Sequence, residues 1–579
     1  MSRLHTFDQY VEAARQSWDC PGVALAIVKE DTILHQNVYG LRDVEQQLPM
    51  TADTRFAMAS VTKSFAAMSV ALLVDEGKLE WDKPVREYVP EFMLHDPYVT
   101  HHVTVRDMLS HRTGLPRHDL AAWRLDLSRA DFIKRMRHLK FSTSFREKFQ
   151  YNNLMYYATA YLVETIAGQR WEEFVHQRIF APLGMRASNF MPEPPQPGQV
   201  TAQGYRVDRD HEGTVTGLTH MPFGRHTELS PGAAGALFST LADLTQWLKL
   251  HVNAGRVGAV QLVSPDNLKQ MHLPQTVVPA DGFAEALMGN TIFTYGLGWF
   301  IEPYRGYTLV QHGGNVEGHS LMIGFVPQAK IGVVALTNVA SLPLRDILLY
   351  EGLDRALELP DRDWNRHFHA MVDPLLVATE QAKQTAAAER VRDAPPTHPL
   401  ATFVGTYAAD GYPDFAVCSD GESLQACTVG SLAWSALRHY HYNVFEWHLA
   451  DFDAWVKVRF LVDDQGEVDA ISIPIEPEVE NVTFTRKQPE LTADLIARLA
   501  GEYASAVEGM AFTVTAHERK LYVAQTGCPP EEITPYKLQD DAVSFRSKRG
   551  RFEFVREDQA VVRLLFKTPF MTLEAPRKA

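Results

Sequence analysis

Ser60-Val61-Thr62-Lys63 is the one Ser-x-x-Lys in the chain. Residues three apart on a helix share a face, so a lysine amine at this spacing can reach the serine hydroxyl and take its proton. The spacing alone also admits, and by frequency favours, an N-cap serine followed by an exposed lysine. The neighbours shift that balance. Lys63 stands between Val61 and Phe65 at the head of an apolar run ending at Val74. An unpaired ammonium is costly to bury there, and a desolvated lysine has the lowered pKa that a base requires.

Two other groups carry chemistry. Tyr151-Asn152-Asn153 precedes the apolar stretch Leu154 to Ala167. Its asparagines either cap that helix or, as Tyr-x-Asn, aim a phenol and a carboxamide into a cleft. In the second case the phenol exchanges a proton with a nearby serine, provided that cations lower its pKa, and the amide fixes a lysine and a substrate carbonyl. His312-Gly313-Gly314 ends a strand-like run. It is either a hairpin turn beside a surface histidine or a place where paired glycines admit close approach of a ligand.

The elements that must position these groups follow from periodicity. Phe7, Tyr10, Val11, Ala14 and Trp18 recur at helical spacing among polar residues, unlike the unbroken apolar core of a signal peptide. Val23–Val28 and Thr32–Leu34 form a hairpin about Lys29-Glu30-Asp31, which places two strands before the Ser60 helix. Helices and loops dominate from Trp81 to about Leu250, including a run from Leu237 to Leu250 introduced by Ser239-Thr240. Strands return at Tyr307–Gln311, Ser320–Val326 and Ile331–Asn338. This order predicts an α/β (α+β) domain over residues 1–360, an antiparallel sheet flanked by helices.

Residues 361–398 read as a helical segment followed by the proline-rich linker Asp393 to Pro399. Beyond it the chain repeats itself. Phe403-Val404-Gly405-Thr406-Tyr407 is echoed by Leu499-Ala500-Gly501-Glu502-Tyr503, and Phe460 to Gln465 by Phe554 to Gln559. Two small antiparallel β-barrels, 399–488 and 489–579, are expected, with one larger β-sandwich as the alternative.

Composition removes several classes of function. A net charge of −15 argues against nucleic-acid and anionic-membrane partners, and no stretch approaches the roughly 20 apolar residues of a membrane span. Cys20, Cys418, Cys427 and Cys528 show no Cys-x-x-Cys spacing and read as buried thiols. Gly-x-Ser-x-Gly, His-Glu-x-x-His and Gly-x-Gly-x-x-Gly are all missing, so an α/β-hydrolase, a zincin and a dinucleotide enzyme each lack their minimum chemistry. His101-His102 and His367-Phe368-His369 have no third ligand in view and read as surface histidines. The expectation is a cytoplasmic protein without metal or cofactor, with a precursor whose leader has been removed as the alternative.

Taken in chain order, the three motifs resemble the serine hydrolases related to class C beta-lactamases, penicillin-binding proteins and D-aminopeptidases. The resemblance extends over residues 10–345 through Thr104 to Leu115, Ala181-Pro182-Leu183-Gly184-Met185, Gly235 to Thr240, Tyr295 to Trp299 and Leu336-Thr337-Asn338. It implies a beta-lactamase/transpeptidase-like catalytic domain carrying lipocalin-like barrels. It also implies Ser60 as the acylated nucleophile, Lys63 and Tyr151 as handlers of its proton, and Asn153 as the residue placing lysine and substrate. The backbone N–H groups of Ser60 and Asn315 would form the oxyanion hole, and Gly313 and Gly314 would line the substrate.

Two departures from the family pattern matter. His312 stands where many relatives have the lysine of Lys-Thr-Gly, exchanging a permanent cation for a group largely neutral at pH 7 that can donate to, or accept from, Tyr151. Asn152 replaces the serine commonest in the second motif. The resemblance therefore implies an acyl-enzyme peptidase or amidase of D-aminopeptidase type on small peptides or amides. The alternatives are a carboxylesterase or weak beta-lactamase and, in another class, a catalytically silent binder of peptidoglycan or peptide. Its partners would be a small peptide, amide or ester substrate and, within the family, other copies of the chain.

Overall fold

The computed structural model describes residues 3–578 except 124, 192–197, 211, 225–228, 230–231, 280–284, 287–288, 341, 431–433, 450–453, 465, 539–540, 559 and 569. Gln465 and Gln559, which end the second sequence echo, lie outside the described residues. The chain forms two compact units, 1–404 with 409–484 and 405–408 with 485–579.

A nine-stranded sheet runs from edge to edge through Thr276–Val278, Phe293–Tyr295, Phe300–Tyr304, Tyr307–Val316, His319–Val326, Ile331–Thr337, Gly22–Lys29, Thr32–Asp43 and Leu48–Pro49. Neighbouring strands are antiparallel throughout. The N-terminal hairpin is zipped onto the last catalytic strand, with Val23 opposite Thr337. The central strands His319–Val326 and Ile331–Thr337 are buried at every position, so they read as continuous apolar runs without alternation. On one face, helices Phe7–Ser17 and Leu344–Ala356 bury Phe7, Val11, Ile347 and Leu348 against Leu25 and Val333. On the other face, helix Leu241–Val252 lies so close that a Cβ on Gly332 would come within 2.7 Å of Leu248.

The helix after Ser60 spans Thr62–Asp75, and every residue from Thr62 to Leu73 is buried. A helix apolar all round has no solvent face, so Lys63 enters the interior with its neighbours. Phe65 stacks on Trp247 at 3.9 Å between ring centres and ties this helix to the one covering the sheet.

Three expectations need correction. Four strands precede the Ser60 helix, because the two-residue Leu48–Pro49 and the four-residue Thr54–Ala57 are too short to show a period in sequence. Leu237–Thr240 is a strand paired with Thr54–Ala57, and the helix starts at Leu241 with Thr240 as its cap. His312-Gly313-Gly314 is no turn. It lies inside Tyr307–Val316, and the chain reverses at Glu317-Gly318, whose φ values of +42° and +78° suit a two-residue hairpin loop.

The eight strands from Gly405–Ala408 to Val482–Arg486 follow one another in order and close into a barrel. Phe415, Phe445, Trp447, Phe460 and Phe484 fill it. A second eight-stranded sheet runs in order from Gly501–Ala504 to Thr572–Pro576, and its ends meet where Lys578 N–H donates to Glu502 O at 2.8 Å. Two separate sheets, each with its own aromatic core, replace the single sandwich. The repeat has a physical meaning: Arg486 packs against Gly405 and over Tyr407 as Arg577 packs against Gly501, where a Cβ on either glycine would sit 2.9 or 3.2 Å from the guanidinium. Of the four thiols, Cys20 and Cys427 are buried, whereas Cys418 and Cys528 are only half-buried.

The segment Thr104 to Leu115 is organised by one carboxylate. Asp107 is fully buried and accepts from Arg112 Nε at 2.6 Å, Arg146 Nη2 at 2.7 Å, and Thr104 N and Oγ1 at 3.0 and 2.8 Å. Burial pushes its carboxyl up, but Arg146, Thr104 and Arg112 together hold it below the ordinary range. A depressed folded pKa stabilises the fold above the unfolded value near 4, and that contribution disappears as pH falls through the folded value. Asp107→Asn is expected to cost ~3 kcal/mol in urea denaturation at pH 7, with the difference from wild type shrinking as pH falls below about 4.

Candidate active site

Ser60 lies at the junction of the short 3-10 turn Ala59–Val61 and the buried helix. Ala59 before it has φ +43°, a left-handed conformation unusual for alanine and of the kind that collects at functional sites. The Ser60 side chain does not cap the helix. Thr62 Oγ1 instead donates to Ala59 O at 2.6 Å and accepts from Leu237 N at 3.1 Å, which fixes the turn.

Lys63 is 0% exposed. Its Nζ lies 3.0 Å from Ser60 Oγ, 2.8 Å from Asn153 Oδ1 and 2.9 Å from Ala234 O. Ala234 O can only accept, and Asn153 presents its oxygen because Nδ2 donates to Asp119 Oδ1 at 2.9 Å. When the amine is neutral it gives its two hydrogens to these two oxygens and points its lone pair at the Ser60 hydroxyl. Burial, and then the charge of Arg117, hold the Lys63 pKa well below the ordinary lysine range, with Asp119 opposing.

The Tyr-x-Asn residues divide their work. Asn152 caps the following helix by accepting from Met155 N at 2.9 Å and donates to Leu115 O and Pro116 O. That leaves the Asn153 side chain free for Lys63. Tyr151 is within hydrogen-bond reach of Ser60, and Lys63 Nζ lies 4.8 Å from the centre of its ring. Removal from water raises the Tyr151 pKa, and neither the Ser60 hydrogen bond nor Arg117 reverses the rise. The cation-lowered phenol that the sequence allowed is therefore not formed; Tyr151 stays protonated and is suited to donate.

His312 is buried beside this group, 6.4 Å ring to ring from Tyr151, and both its nitrogens are engaged elsewhere. Nδ1 lies 2.7 Å from Gly313 O, an acceptor, so it carries the proton; Nε2 then accepts from Tyr295 OH at 3.0 Å. Burial, with Lys63 adding to it, pushes the His312 pKa down to about 3. The expected exchange with Tyr151 is replaced by a fixed neutral imidazole.

The strand Tyr307–Val316 outlasts its neighbour, whose pairing stops at Phe300 opposite Gln311, so His312 to Val316 have one edge free. A Cβ on Gly314 would sit 2.5 Å from Met58 O and 3.1 Å from Ser60 N, so glycine alone lets this strand lie against the Ser60 turn. Asn315 follows directly, held by Ser320 Oγ–H donating to its Oδ1 at 2.7 Å. A cleft of about 700 Å³ opens over Ser60, Tyr151 and residues 312–315, with Arg117, Glu302 and Arg345 in its wall. Among the described residues no group of three or more His, Cys, Asp or Glu could hold a metal ion. No described helix is long and apolar enough to cross a membrane.

Residues 7–356 match the family model described as Beta-lactamase. This chain belongs to the beta-lactamase family. Residues 389–488, which contain the closed barrel, match a domain of unknown function, DUF3471. The chain is 30% identical over 436 residues to the Unguisins hydrolase ungD' of Aspergillus campestris, covering 72% of this chain and 78% of that protein. It is 26% identical over 335 residues to Penicillin-binding protein 4 of Amycolatopsis lactamdurans, covering 56% of this chain and 83% of that one. Its fold resembles the octameric penicillin-binding protein homologue from Pyrococcus abyssi, with a TM-score of 0.53 and 23% identity over 83% of this chain and 100% of that one. Like its family, the chain is a serine hydrolase.

Sequence reasoning missed four groups that contact Lys63, Asn153, Tyr151 and His312: Ala234 O, Asp119, Arg117 and Tyr295. A backbone oxygen leaves no trace in residue type, but Arg117-His118-Asp119, a charged cluster just after the Thr104 to Leu115 segment, could have been noticed. Arg117 is half-exposed, pairs with Asp119 at 2.8 Å and lies 5.4 Å from the Tyr151 ring centre. Because its charge depresses the Lys63 pKa, Arg117→Gln is expected to move the acid limb of Ser60 modification by a fluorophosphonate to higher pH. A limb unmoved or moved to lower pH would contradict this electrostatic coupling.

Proposed function

We propose that the chain is an acyl-enzyme amidase or peptidase of D-aminopeptidase type, acting on small peptides or amides through Ser60. The observation that carries this reading is the buried Lys63 amine, its pKa held well below the ordinary lysine range, 3.0 Å from the Ser60 hydroxyl. Lys63 takes the hydroxyl proton as Oγ attacks the carbonyl carbon. The N–H groups of Ser60 and Asn315 face the developing oxyanion, each worth roughly 10²- to 10³-fold in rate. Tyr151, kept protonated, passes a proton to the leaving amine and recovers it from Lys63. Water, entering by the same path, releases the acid.

Two features support an amine-bearing substrate over a carboxylate-bearing one. His312 is neutral at the place where a lysine would bind a carboxylate. The far wall of the cleft carries Glu302 among Phe293, Phe300 and Tyr350, a lining that suits an ammonium group, beside Asp346, which pairs with Arg345 at 3.3 Å. Glu302 is 6% exposed, with its carboxyl pushed up to about 7 by burial, and Gln311 donates to it at 3.2 Å.

The test is a panel of aminoacyl anilides of both chiralities, short esters and a chromogenic cephalosporin, run beside fluorophosphonate labelling. Free-amine anilides should be turned over best and the cephalosporin worst. Ser60→Ala should lose labelling and at least about a thousandfold in kcat/KM. Faster ester turnover would favour the carboxylesterase. A wild-type protein that binds peptide yet neither labels nor turns over any member would make it a silent binder.

A further inference from the structure

His118 is 1% exposed and has φ +45°, a left-handed backbone that a non-glycine residue keeps only when its surroundings hold it there. Three hydrogen bonds supply that hold. His118 Nε2 lies 2.8 Å from Lys140 O, an obligate acceptor, so Nε2 bears the proton; Nδ1 then accepts from Tyr412 OH at 2.6 Å. The His118 backbone N–H donates to Glu476 Oε2 at 2.8 Å. Two of the three partners come from the closed barrel: Tyr412 precedes its strand Phe415–Ser419, and Glu476 lies in the loop between Val468–Ile473 and Val482–Arg486. Tyr412 and Glu476 are themselves buried.

The residues on either side of His118 are the ion pair that faces the reaction. Arg117 lies over the Tyr151 ring and depresses the Lys63 pKa; Asp119 holds Asn153, which holds Lys63. The same barrel loop reaches the second motif. Glu478 accepts from Gln150 Nε2, the side chain just before Tyr151, from Lys148 Nζ at 3.2 Å and from Ser142 Oγ at 3.3 Å. The barrel thus grips the site at two places, and neither contact touches the cleft.

We propose that Glu476 and Tyr412 are positioning residues for catalysis: by fixing the His118 backbone, the barrel aims Arg117 and Asp119 and so sets the Lys63 amine as a base. This rests on Lys63 serving as the base for Ser60. The groups facing that amine are Arg117, Asp119, Tyr151, Tyr156, His111 and His312. Of these, only Arg117 and Asp119 belong to the turn that the barrel grips. The Arg117 effect on Lys63 exceeds the opposing Asp119 effect, so a relaxed turn raises the amine pKa.

The experiment compares full-length wild type with Glu476→Ala, Glu476→Gln and Tyr412→Phe. Glu476→Gln keeps an acceptor oxygen, and Tyr412→Phe keeps the ring while deleting the donor to His118. The readouts are the pH dependence of fluorophosphonate labelling at Ser60, kcat and KM on the best anilide, and thermal unfolding. We expect Glu476→Ala and Tyr412→Phe to lose about tenfold or more in kcat with little change in KM, and to move the acid limb to higher pH. Glu476→Gln should recover most of the rate. In an Arg117→Gln background, Glu476→Ala should move the limb no further.

Wild-type rate and limb position in folded Glu476→Ala and Tyr412→Phe would overturn the proposal, as would a lowered melting temperature alone. Should Glu476→Ala fail to fold, Tyr412→Phe decides by itself. A wild-type protein that is not labelled at Ser60 would instead remove the catalytic reading beneath it.

Discussion

The chemistry depends on one constraint, the removal of a lysine amine from water. The Thr62–Asp75 helix has no solvent-facing side, so Lys63 is carried inward by the apolar residues around it. The cost of desolvating an ammonium holds the Lys63 pKa well below the ordinary lysine range, and none of its three hydrogen-bond partners is a carboxylate. Two obligate acceptors and one hydroxyl surround the amine, and the nearest carboxylate, Asp119, is held one residue away behind Asn153. A carboxylate in direct contact would have favoured the ammonium.

Much of the site was legible because its members are set by short-range periodicity. Ser60 and Lys63 are one helical turn apart, and Tyr151 and Asn153 stand at a helix start that the apolar run from Leu154 announces. What stayed hidden depends on contacts between distant segments. Asn152 and Asn153 are the same residue type at adjacent positions, yet one caps and the other reaches Lys63, a division that only the packed loop at Leu115 and Pro116 decides. Of the two readings of the paired glycines, a hairpin turn and a close approach, the structure takes the second. Gly313-Gly314 carries the stronger turn signal, but there the glycines are needed for a close approach to Met58 and Ser60, while Glu317-Gly318 makes the turn.

The C-terminal region from 399 onward was readable as repetition more than as function. The echo around Tyr407 and Tyr503 marks the first strand of two meandering sheets, each begun by a glycine that leaves room for an arginine from near the far end. Strand alternation and aromatic spacing suffice to specify such a barrel. They do not show which loop will meet the catalytic sheet. Glu476, Glu478 and Tyr412 carry no mark in sequence, and the burial of Glu476 and Tyr412 against His118 and the bond from Gln150 to Glu478 exist only once both folds are formed.

The histidine at 312 extends the same electrostatic logic. With Nδ1 committed to Gly313 O and Nε2 to Tyr295, this imidazole brings no charge into the cleft. A lysine at that place would add a permanent cation beside Lys63 and Tyr151, depressing both pKa values and attracting carboxylates. Here Arg117 supplies the depressing charge instead, from a half-exposed position anchored by Asp119. Moving the charge from the sheet edge to a loop separates two tasks that one lysine would perform together. The Lys63 pKa is lowered from a loop, and the wall beyond His312 holds Glu302 together with Asp346 and its ion-pair partner Arg345.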